Sequence, residues 1–510
     1  MTMQHAGLPW FWIVPAATGM IMIALWSLFA RPSLDAPSHS VNLAAVPLIG
    51  GVVRFLNATP YPLLSTKVIA VALYLAVIAA GLFGTPYPER NLATVLVWNL
   101  WWPLVVVSVF FLGSAWCGVC PWDTLASCII RRRLFRRANP HPGLNLRVPS
   151  YLRNVWFALI LFIGLTWLEL GANVSAVPFA TAVLALVMLL LSLIFLFVFE
   201  RKAFCRYACP VGRTLGFYSR LAPVALRPTD QPTCDRCRTL ECFNGSNEIE
   251  PCPTHLTMGG LKQNTYCLSC GNCVLSCPHK NVSWRLRPMG TEARDRARPK
   301  WDEAWFMLAL LGITSFHGFT MMPFWSDWAT FIARVIGERD NDLVSFILSM
   351  MGWFVIPAAI YAAAIGWAHI KAPRGVSYRQ LFTGFAFTAL PLAFAYHLAH
   401  NMSHLLRESG DIASVALNPL GIGLDPLSAM EKHERMMNPL FPEPLLFAVQ
   451  AGLFMLGFWL AARIARNRGL DLLGRNSNAV AGWLLPMLTF IGTITALNLW
   501  LTAQDMVMRF

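Results

Sequence analysis

The cysteines of this sequence are spaced in a way that suits iron-sulfur chemistry. Eight of the 13 cysteines lie between residues 234 and 277, in two unequal copies of one pattern. The second copy reads CLSCGNCVLSCP, and the first has wider spacings. A short loop can present three thiolates to a cubane of iron and sulfide, and a fourth thiolate must then arrive from elsewhere in the chain.

The second copy has the C-x2-C-x2-C-x3-C-P spacing of bacterial two-cluster ferredoxins, in which the fourth cysteine of each run binds the other cluster. The sequence therefore predicts two 4Fe-4S clusters. Cluster 1 is assigned Cys267, Cys270, Cys273 and Cys252, and cluster 2 is assigned Cys234, Cys237, Cys242 and Cys277. Paired C-x2-C units also bind tetrahedral zinc, but three successive cysteines followed by Cys-Pro argue against it. A disulfide framework fits less well, because this insert is expected in a reducing compartment.

Two further cysteine pairs end apolar segments, in the sequences WCGVCPW and FCRYACPVG. These cysteines are Cys117, Cys120, Cys205 and Cys209. Each pair ends in Cys-Pro and precedes a basic stretch, so the two pairs are expected at similar depth, where they could converge. Four thiolates would suit a third iron-sulfur cluster, a metal ion or a reversible dithiol pair. Helix-end cysteines without a cofactor are the alternative, and Cys128 is predicted to be a buried thiol and not a ligand.

Histidines form a second candidate site in the C-terminal half. The segment AYHLAHNMSHLL places His397, His400 and His404 on one face of a helix, and His317 lies on another apolar segment. These four residues are candidate ligands of haem b or of copper. Thioethers that could assist copper are those of Met402, Met321, Met322, Met436 and Met437. The third interpretation is a polar helix face that is hydrogen-bonded to neighbouring segments and could line a quinone pocket.

Composition and apolar segments indicate a membrane protein, since 56 % of the residues are hydrophobic and 13 % are charged. A helix of about 20 apolar residues crosses about 30 Å of hydrocarbon. Ten segments fit: 10–30, 66–84, 92–116, 152–172, 174–199, 303–323, 346–370, 379–405, 444–465 and 480–503. The predicted fold is an all-α polytopic membrane protein with an inserted ferredoxin-like α+β domain. The predicted domains are 1–221 (membrane), 222–300 (two-cluster insert) and 301–510 (membrane).

The net charge of +14 lies mainly in short loops between apolar segments. We interpret it as a topology signal and not as a nucleic-acid surface, because Lys and Arg are retained on the cytoplasmic side. Basic stretches at 129–137, 201–220, 371–379 and 463–475 then share the cytoplasmic side of the inner membrane with the insert. Loops 337–343 and 407–412 and both termini lie outside. Segment 10–30 is expected to stay in the protein, and 41–56 is predicted to be interfacial or re-entrant.

Two acidic residues have open roles at this stage. Glu169, near the outer end of the fourth segment, is either a proton acceptor for a quinol or a solvated helix end. Asp123, just after Cys120-Pro121, is predicted to cap the next helix, with a proton acceptor near a cluster as the alternative. Clusters on one face alone cannot reach an acceptor across the hydrocarbon, so a second redox centre among the histidines would complete a transmembrane path.

With its two Cys-Pro elements and eight-cysteine insert, the chain resembles the membrane-bound polyferredoxins. That family includes the quinol dehydrogenase subunit of periplasmic nitrate reductase, the nitrous oxide reductase regulator and the cytochrome oxidase accessory ferredoxin. The resemblance covers about residues 92–290, and the first element, C-x2-C-P, departs from the usual C-x3-C-P. It implies electron transfer between a quinol or a cytoplasmic donor and a partner redox protein.

The function expected from these features is a membrane-bound electron relay, with the cofactors supplying the chemistry. It would be an oxidoreductase subunit of the quinol dehydrogenase kind, with quinol and a cytoplasmic carrier or periplasmic acceptor as partners. The basic residues Arg236, Arg238, Lys262 and Lys280 are candidates for docking an acidic carrier such as flavodoxin. The alternatives are a copper assembly protein and a redox-sensing regulator.

Overall fold

Ten long helices form the body of the molecule in the part of the chain that a computed structural model describes. The structure describes residues 4–30, 40–132, 141–338, 343–408, 412–437, 441–474 and 477–507. In chain order the long helices are α1 (Trp10–Phe29), α2 (Tyr61–Phe83), α3 (Leu92–Leu112), α4 (Trp156–Leu170), α5 (Pro178–Val198), α6 (Trp301–Phe319), α7 (Leu343–Ile370), α8 (Tyr378–Arg407), α9 (Glu443–Leu473) and α10 (Ser477–Ala503).

The apolar segments predicted from the sequence are therefore helical, and the polytopic α-helical fold is confirmed. Within the described ranges, eight of these helices are long and apolar enough to cross a membrane. The other two are α4, which has only 15 residues, and α6, which carries Asp302 and Glu303 in its first turn. Most of α6 is buried among the other helices, so it forms the centre of the bundle.

The helices alternate in direction between two ends of the bundle, which we call the insert end and the far end. At the insert end, α4 and α6 begin side by side, since the Val155 amide donates to Asp302 at 3.0 Å. At the far end, Gln4 pairs with Val507 in a short sheet, and the Val507 amide donates to the carbonyl of Met321 at 2.8 Å. Both described chain ends thus lie opposite the insert, as the alternation predicts.

Shorter elements lie between the long helices, except that the turns Val95–Trp101 and Ala386–Thr388 lie within α3 and α8. The short α-helices are Gly50–Ala58, Trp116–Val119, Pro121–Arg131, Pro210–Tyr218, Gln231–Arg236, Glu241–Asn244, Asn272–Ser276, Trp325–Ile336, Ile412–Leu417 and Ala429–Met437. The 3-10 turns are Leu43–Ala45, Pro88–Arg90, Ser150–Leu152, Val174–Ala176 and Ala386–Thr388, and π-helical turns lie at Val95–Trp101, Phe204–Ala208 and Glu292–Arg296. The strands are β1 (Gln4–His5), β2 (Val41–Asn42), β3 (Val224–Pro228), β4 (Val282–Leu286) and β5 (Met506–Val507).

The insert is built on a small antiparallel sheet with the order β2-β4-β3. Its edge strand β2 comes from outside the insert, and Val41 pairs with Leu286. Asn57, at the end of the helix that follows, donates to the hydroxyl of Ser283 at 3.2 Å. The segment 41–56 thus packs on the insert and completes its sheet, and the prediction that it is interfacial or re-entrant stays a prediction.

Buried ion pairs lie on both sides of the junction between the insert and the membrane helices, and hydrogen bonds from Arg220 to Thr265 and from Tyr266 to Glu303 cross it. Arg220 pairs with Glu303, the third residue of α6, and both side chains are fully buried. Glu292 pairs with Arg227 and Arg287 in the same way. On α9, Arg468 donates to the carbonyls of Ala293 at 2.8 Å and Ala297 at 2.9 Å. Several arginines that were interpreted only as topology signals thus hold the insert in place.

Candidate functional site

The cysteines assigned to cluster 1 lie together in the structure. Cys273 is close enough to interact electrostatically with Cys270, Cys267 and Cys252. Gly271 and Ser269 both adopt positive φ, so the loop turns sharply between successive cysteines. Burial raises the pKa of the Cys267 thiol to about 11. An uncharged thiol is therefore favoured in the apoprotein, and a bound cation would be needed to stabilise the thiolates.

The cysteines assigned to cluster 2 line one small cavity near the surface of the insert. Its walls include Cys234, Cys237, Cys242 and Cys277. The Asn281 side-chain amide donates to the Cys234 sulfur at 3.4 Å, and the Asn281 backbone amide donates to the Cys277 sulfur at 3.4 Å. Hydrogen bonds of this kind stabilise thiolate charge, so the cavity suits anionic sulfur ligands.

Each of these sites has a donor set of four thiols, which fits a 4Fe-4S cluster. All 13 cysteines carry free thiols, so the structure provides no disulfide framework for the insert. When bound, such clusters carry single electrons. The crossover assignment of ligands remains a prediction, and the observed grouping of the thiols is the arrangement that it requires.

The two Cys-Pro pairs at the helix ends converge on one another, and we call them the membrane tetrad. Cys117 interacts electrostatically with Cys209, and Cys120 interacts with Cys205 and Cys209. Burial raises the pKa of Cys117 to about 12 and that of Cys209 to about 11. Cys120, Cys205 and Cys209 are buried, and Cys117 is half-buried. The symmetry of the two sequence elements thus corresponds to one shared site.

Asp123 belongs to the surroundings of the membrane tetrad. Cys120 occupies the N-cap of the helix Pro121–Arg131, and no side chain caps that helix, so the predicted capping role of Asp123 is wrong. Its carboxylate instead accepts a hydrogen bond from Lys202 and lies 3.6 Å from the Cys205 sulfur. No motif indicates Lys202 in the sequence, since this pair depends on two helix ends that are distant in the chain.

The membrane tetrad touches the cluster 1 loop directly. The Ser114 hydroxyl donates to the carbonyl of Cys267 at 2.6 Å. A Cβ placed on Gly118, between Cys117 and Cys120, would lie 3.1 Å from the carbonyl oxygen of Ser269. Glycine therefore permits a close backbone approach between the two cysteine sites. Cys128 lies apart from them and is exposed, so the prediction that it is a buried thiol is wrong.

A large apolar cavity lies beside the membrane tetrad, and we call it the aromatic pocket. Its volume is about 470 Å³, and it runs among α2, α3 and α5. Trp116 and Pro121, which flank the tetrad cysteines, line one part of it, and Glu169 lines another. Tyr74 lines the cavity and interacts electrostatically with Cys120. The Glu169 side chain is 13 % exposed, so it is not a solvated helix end.

The four candidate histidines separate into a cluster of three and one other. His317, at the end of α6, meets His400 and His404 of α8, and their ligand atoms all lie within 4.8 Å of one another. His397 lies near Tyr218 instead, with 3.3 Å between its Nδ1 and the phenol oxygen. Met321 and Met322 are buried, whereas the side chains of Met436 and Met437 lie outside the described residues. Haem and copper remain predictions.

Tyr218 links the membrane tetrad to the histidine-bearing helix. Cys209 is the N-cap of the helix Pro210–Tyr218, and Tyr218 is its last residue. The Tyr218 ring packs on Phe394 with 4.7 Å between centroids, and Trp102 packs on His397 at 5.8 Å. Since His397 precedes His400 by one helical turn, buried aromatic and imidazole groups extend from the tetrad towards the far end. Sequence reasoning missed Tyr218, which lies in no recognisable motif.

Comparison with known proteins assigns the chain to a family. The family described as "4Fe-4S binding domain" matches residues 94–138 and 181–227, which contain the two Cys-Pro pairs. "Uncharacterized protein MJ0749" of Methanocaldococcus jannaschii is 26 % identical over 199 residues, which are 38 % of this chain and 72 % of that protein. "Uncharacterized protein MJ0750" of the same organism is 31 % identical over 193 residues, which are 36 % of this chain and 76 % of that protein. "Putative electron transport protein YccM" of Escherichia coli is 28 % identical over 197 residues, 34 % of this chain and 51 % of its own.

These findings show that the chain belongs to a family of membrane-associated 4Fe-4S electron-transport proteins. No solved structure gives a significant match. The family match falls on the membrane tetrad and ends before the cysteines of the insert. The iron-sulfur character predicted from the insert is thus supported independently by the part of the chain around the tetrad.

Proposed function

We propose that this protein transfers electrons between a quinol bound in the aromatic pocket and a redox protein that docks on the insert. The observation that carries the proposal is the position of the pocket directly beside the membrane tetrad. From the tetrad, the loop contact at Gly118 leads to the cluster 1 cysteines and then to the cluster 2 cysteines near the surface. Bound clusters would supply one-electron steps along this route.

The pocket places an apolar cavity beside a site that can accept electrons. Oxidation of a quinol releases two electrons and two protons, so an electron acceptor must be near the hydroxyl groups and the protons need a path to a base. The tetrad flanks the insert end of the cavity, and the Glu169 carboxylate lines it towards the far end, beside His317. The indoles of Trp101 and Trp116, with 5.5 Å between centroids and 60° between planes, form an aromatic corner against which a quinone ring can pack.

The docking surface is the exposed face of the insert. Arg236, Arg238, Lys262 and Lys280 are all exposed there. Positive charges on a rim mainly steer encounter, so they favour an acidic carrier and give an association rate that falls with salt. We propose that this face lies on the cytoplasmic side of a bacterial-type inner membrane, because basic stretches such as those around the insert are retained on the cytoplasmic side.

A pocket-filling variant tests the proposal. Leu73 lines the aromatic pocket, whereas Leu75, which is on the same helix and is equally exposed, lies outside its lining. Leu73→Trp should fill the cavity, and Leu75→Trp should leave it open. The assay adds a short-chain quinol to oxidised, anaerobic protein in detergent and follows loss of iron-sulfur absorbance. We expect Leu73→Trp to slow reduction by at least about tenfold, a change of about 1.4 kcal/mol.

Iron and acid-labile sulfide contents must match wild type in both variants, so that slow reduction is not loss of clusters. Equal reduction rates for Leu73→Trp and Leu75→Trp would contradict the pocket assignment. The regulatory alternative would be favoured if quinol reduced neither wild type nor the variants while dithionite still reduced all of them.

A further inference from the structure

The histidine cluster at the far end of the bundle lies apart from the iron-sulfur sites. Glu303, near the start of α6, contacts Tyr266 of the insert at 2.8 Å, and His317 follows 14 residues later in the same helix. At 1.5 Å per residue, these positions are about 21 Å apart along the helix axis. A ligand of the histidines would therefore be separate from any bound to the cysteines.

We propose that His317, His400 and His404 bind one divalent transition-metal ion of the class that includes Cu²⁺ and Zn²⁺. Neutral imidazole is a preferred ligand of both ions. The Nε2 atoms of His400 and His404 are 3.1 Å apart. Two nitrogens bound tetrahedrally at about 2.0–2.1 Å from a metal would be about 3.3 Å apart, so this pair has nearly the required separation.

The surrounding helices preorganise the three imidazoles. His400 and His404 are one turn apart on α8, the spacing that puts two ligands on one helix face. His317 arrives from α6, and its ring centroid is 4.8 Å from that of His400. Glu169 Oε1 lies 4.0 Å from His317 Nδ1, where metal-binding imidazoles usually have a carboxylate partner that orients the ring.

The same geometry limits the other interpretations of these histidines. A haem needs its axial ligands on opposite faces of the macrocycle, so His400 and His404, with 3.1 Å between their nitrogens, cannot both be axial ligands. Met402 is two residues from each of them and so points to another side of α8, which removes it from the ligand set. A hydrogen bond between His400 and His404 explains that pair, and a bound metal ion would explain in addition why ligand atoms of all three histidines lie within 4.8 Å of one another.

The experiment measures metal binding to the full-length protein in detergent. Chelator-treated protein is titrated separately with Cu²⁺ and with Zn²⁺, and bound metal is counted after desalting. We expect one equivalent in wild type, and for Cu²⁺ an electron paramagnetic resonance spectrum with coupling to three nitrogens. Competition between the two ions identifies the preferred metal, and either preference supports the site. Binding of neither ion to wild type would overturn the proposal.

Variants separate ligands from bystanders. Loss of an outer carboxylate partner lowers metal affinity by about 10–100-fold. His317→Ala and His404→Ala should each lower the affinity by more than this. Glu169→Gln keeps all three nitrogens, so it should show the smaller loss with an unchanged nitrogen coupling. The matched control is His369→Ala, since His369 lies at the other end of the bundle beside Tyr378.

Iron and sulfide contents show whether each variant has folded, because the iron-sulfur sites of the insert lie far from the three histidines. If His404→Ala lowers them, Glu169→Gln decides the question instead. Copper or zinc binding that is equal in His317→Ala, His404→Ala, Glu169→Gln and His369→Ala would show that the metal is bound elsewhere. A metal ion here is also what the predicted metal-handling function requires, whereas the electron relay does not depend on it.

Discussion

The membrane tetrad and the cluster 2 site both consist of four cysteines, but their surroundings differ. Three of the tetrad thiols are buried, and Asp123, Lys202 and Arg213 stand around them. The cluster 2 cysteines are all partly exposed, and hydrogen bonds from backbone and side chains surround them. A cofactor in the first site can exchange electrons only inside the protein, whereas one in the second lies within reach of a docked partner. The two ends of an electron path need these different environments.

The contrast between the membrane tetrad and the cluster 2 site has a functional meaning only if the tetrad binds a cluster. Cys205→Ser should remove one cluster, so iron should fall by about four atoms per chain, the content of one 4Fe-4S cluster. Cys128→Ser is the control, since this thiol is exposed and lies outside the tetrad. The measurement is iron and sulfide per chain after anaerobic purification. Unchanged iron in Cys205→Ser would leave the interpretations of the tetrad as a site for another metal ion, a dithiol pair or a group of cysteines without a cofactor.

The junction between the insert and the bundle should be the most sensitive point of the fold. Glu303→Gln leaves the Arg220 charge buried without its partner, which should cost about 3–5 kcal/mol of stability. Lys300→Ala removes a second cation from the same carboxylate, 3.4 Å away, but Lys300 is 50 % exposed, so its loss should cost about 0–1 kcal/mol. Unfolding in detergent, followed by circular dichroism, distinguishes the two. Similar losses for both variants would show that the Arg220 pair is not critical.

The contact between the tetrad and the cluster 1 loop can be strained directly. Gly118→Val places a side chain against the Ser269 carbonyl and should cost about 1–3 kcal/mol, the usual result of overpacking. It should also slow reduction of the insert by quinol, because the two cysteine sites move apart. Gly164→Val on α4 is the matched control, since a Cβ there meets nothing within 4 Å. Wild-type stability and reduction rate in Gly118→Val would remove this contact from the path.

The smallest effect is expected on the docking face. Replacing Arg238 and Lys262 by Glu should lower the association rate of an acidic flavodoxin severalfold at low salt, and the difference should shrink as salt rises. Stopped-flow oxidation of the reduced insert measures this rate. Arg90→Glu, which reverses a charge beside Glu431 on another part of the molecule, is the comparison. An equal effect of both changes would indicate general electrostatics and not a docking face.

The features that the sequence predicted well are local. Apolar length predicts α2 and α5, because a spanning helix must satisfy its own backbone, and the CLSCGNCVLSCP spacing predicts a cluster loop because neighbouring residues form it. Features that depend on tertiary contacts were missed or misassigned. Asp123 pairs with Lys202 instead of capping its helix, since a distant cation competes for the carboxylate. His397 shares a helix with His400 but not its site, because Tyr218 lies against it.

The strand contributed by Val41 and Asn42 has a practical consequence for biochemistry on the insert. A water-soluble fragment spanning 222–300 would have an open sheet edge at β4. It would keep the ion pairs of Glu292 with Arg227 and Arg287, but it would lack Glu303 and Arg468. Unpaired sheet edges promote aggregation. Redox potentials of the clusters should therefore be measured on the intact chain in detergent or in nanodiscs, and values from an excised fragment would describe a different environment.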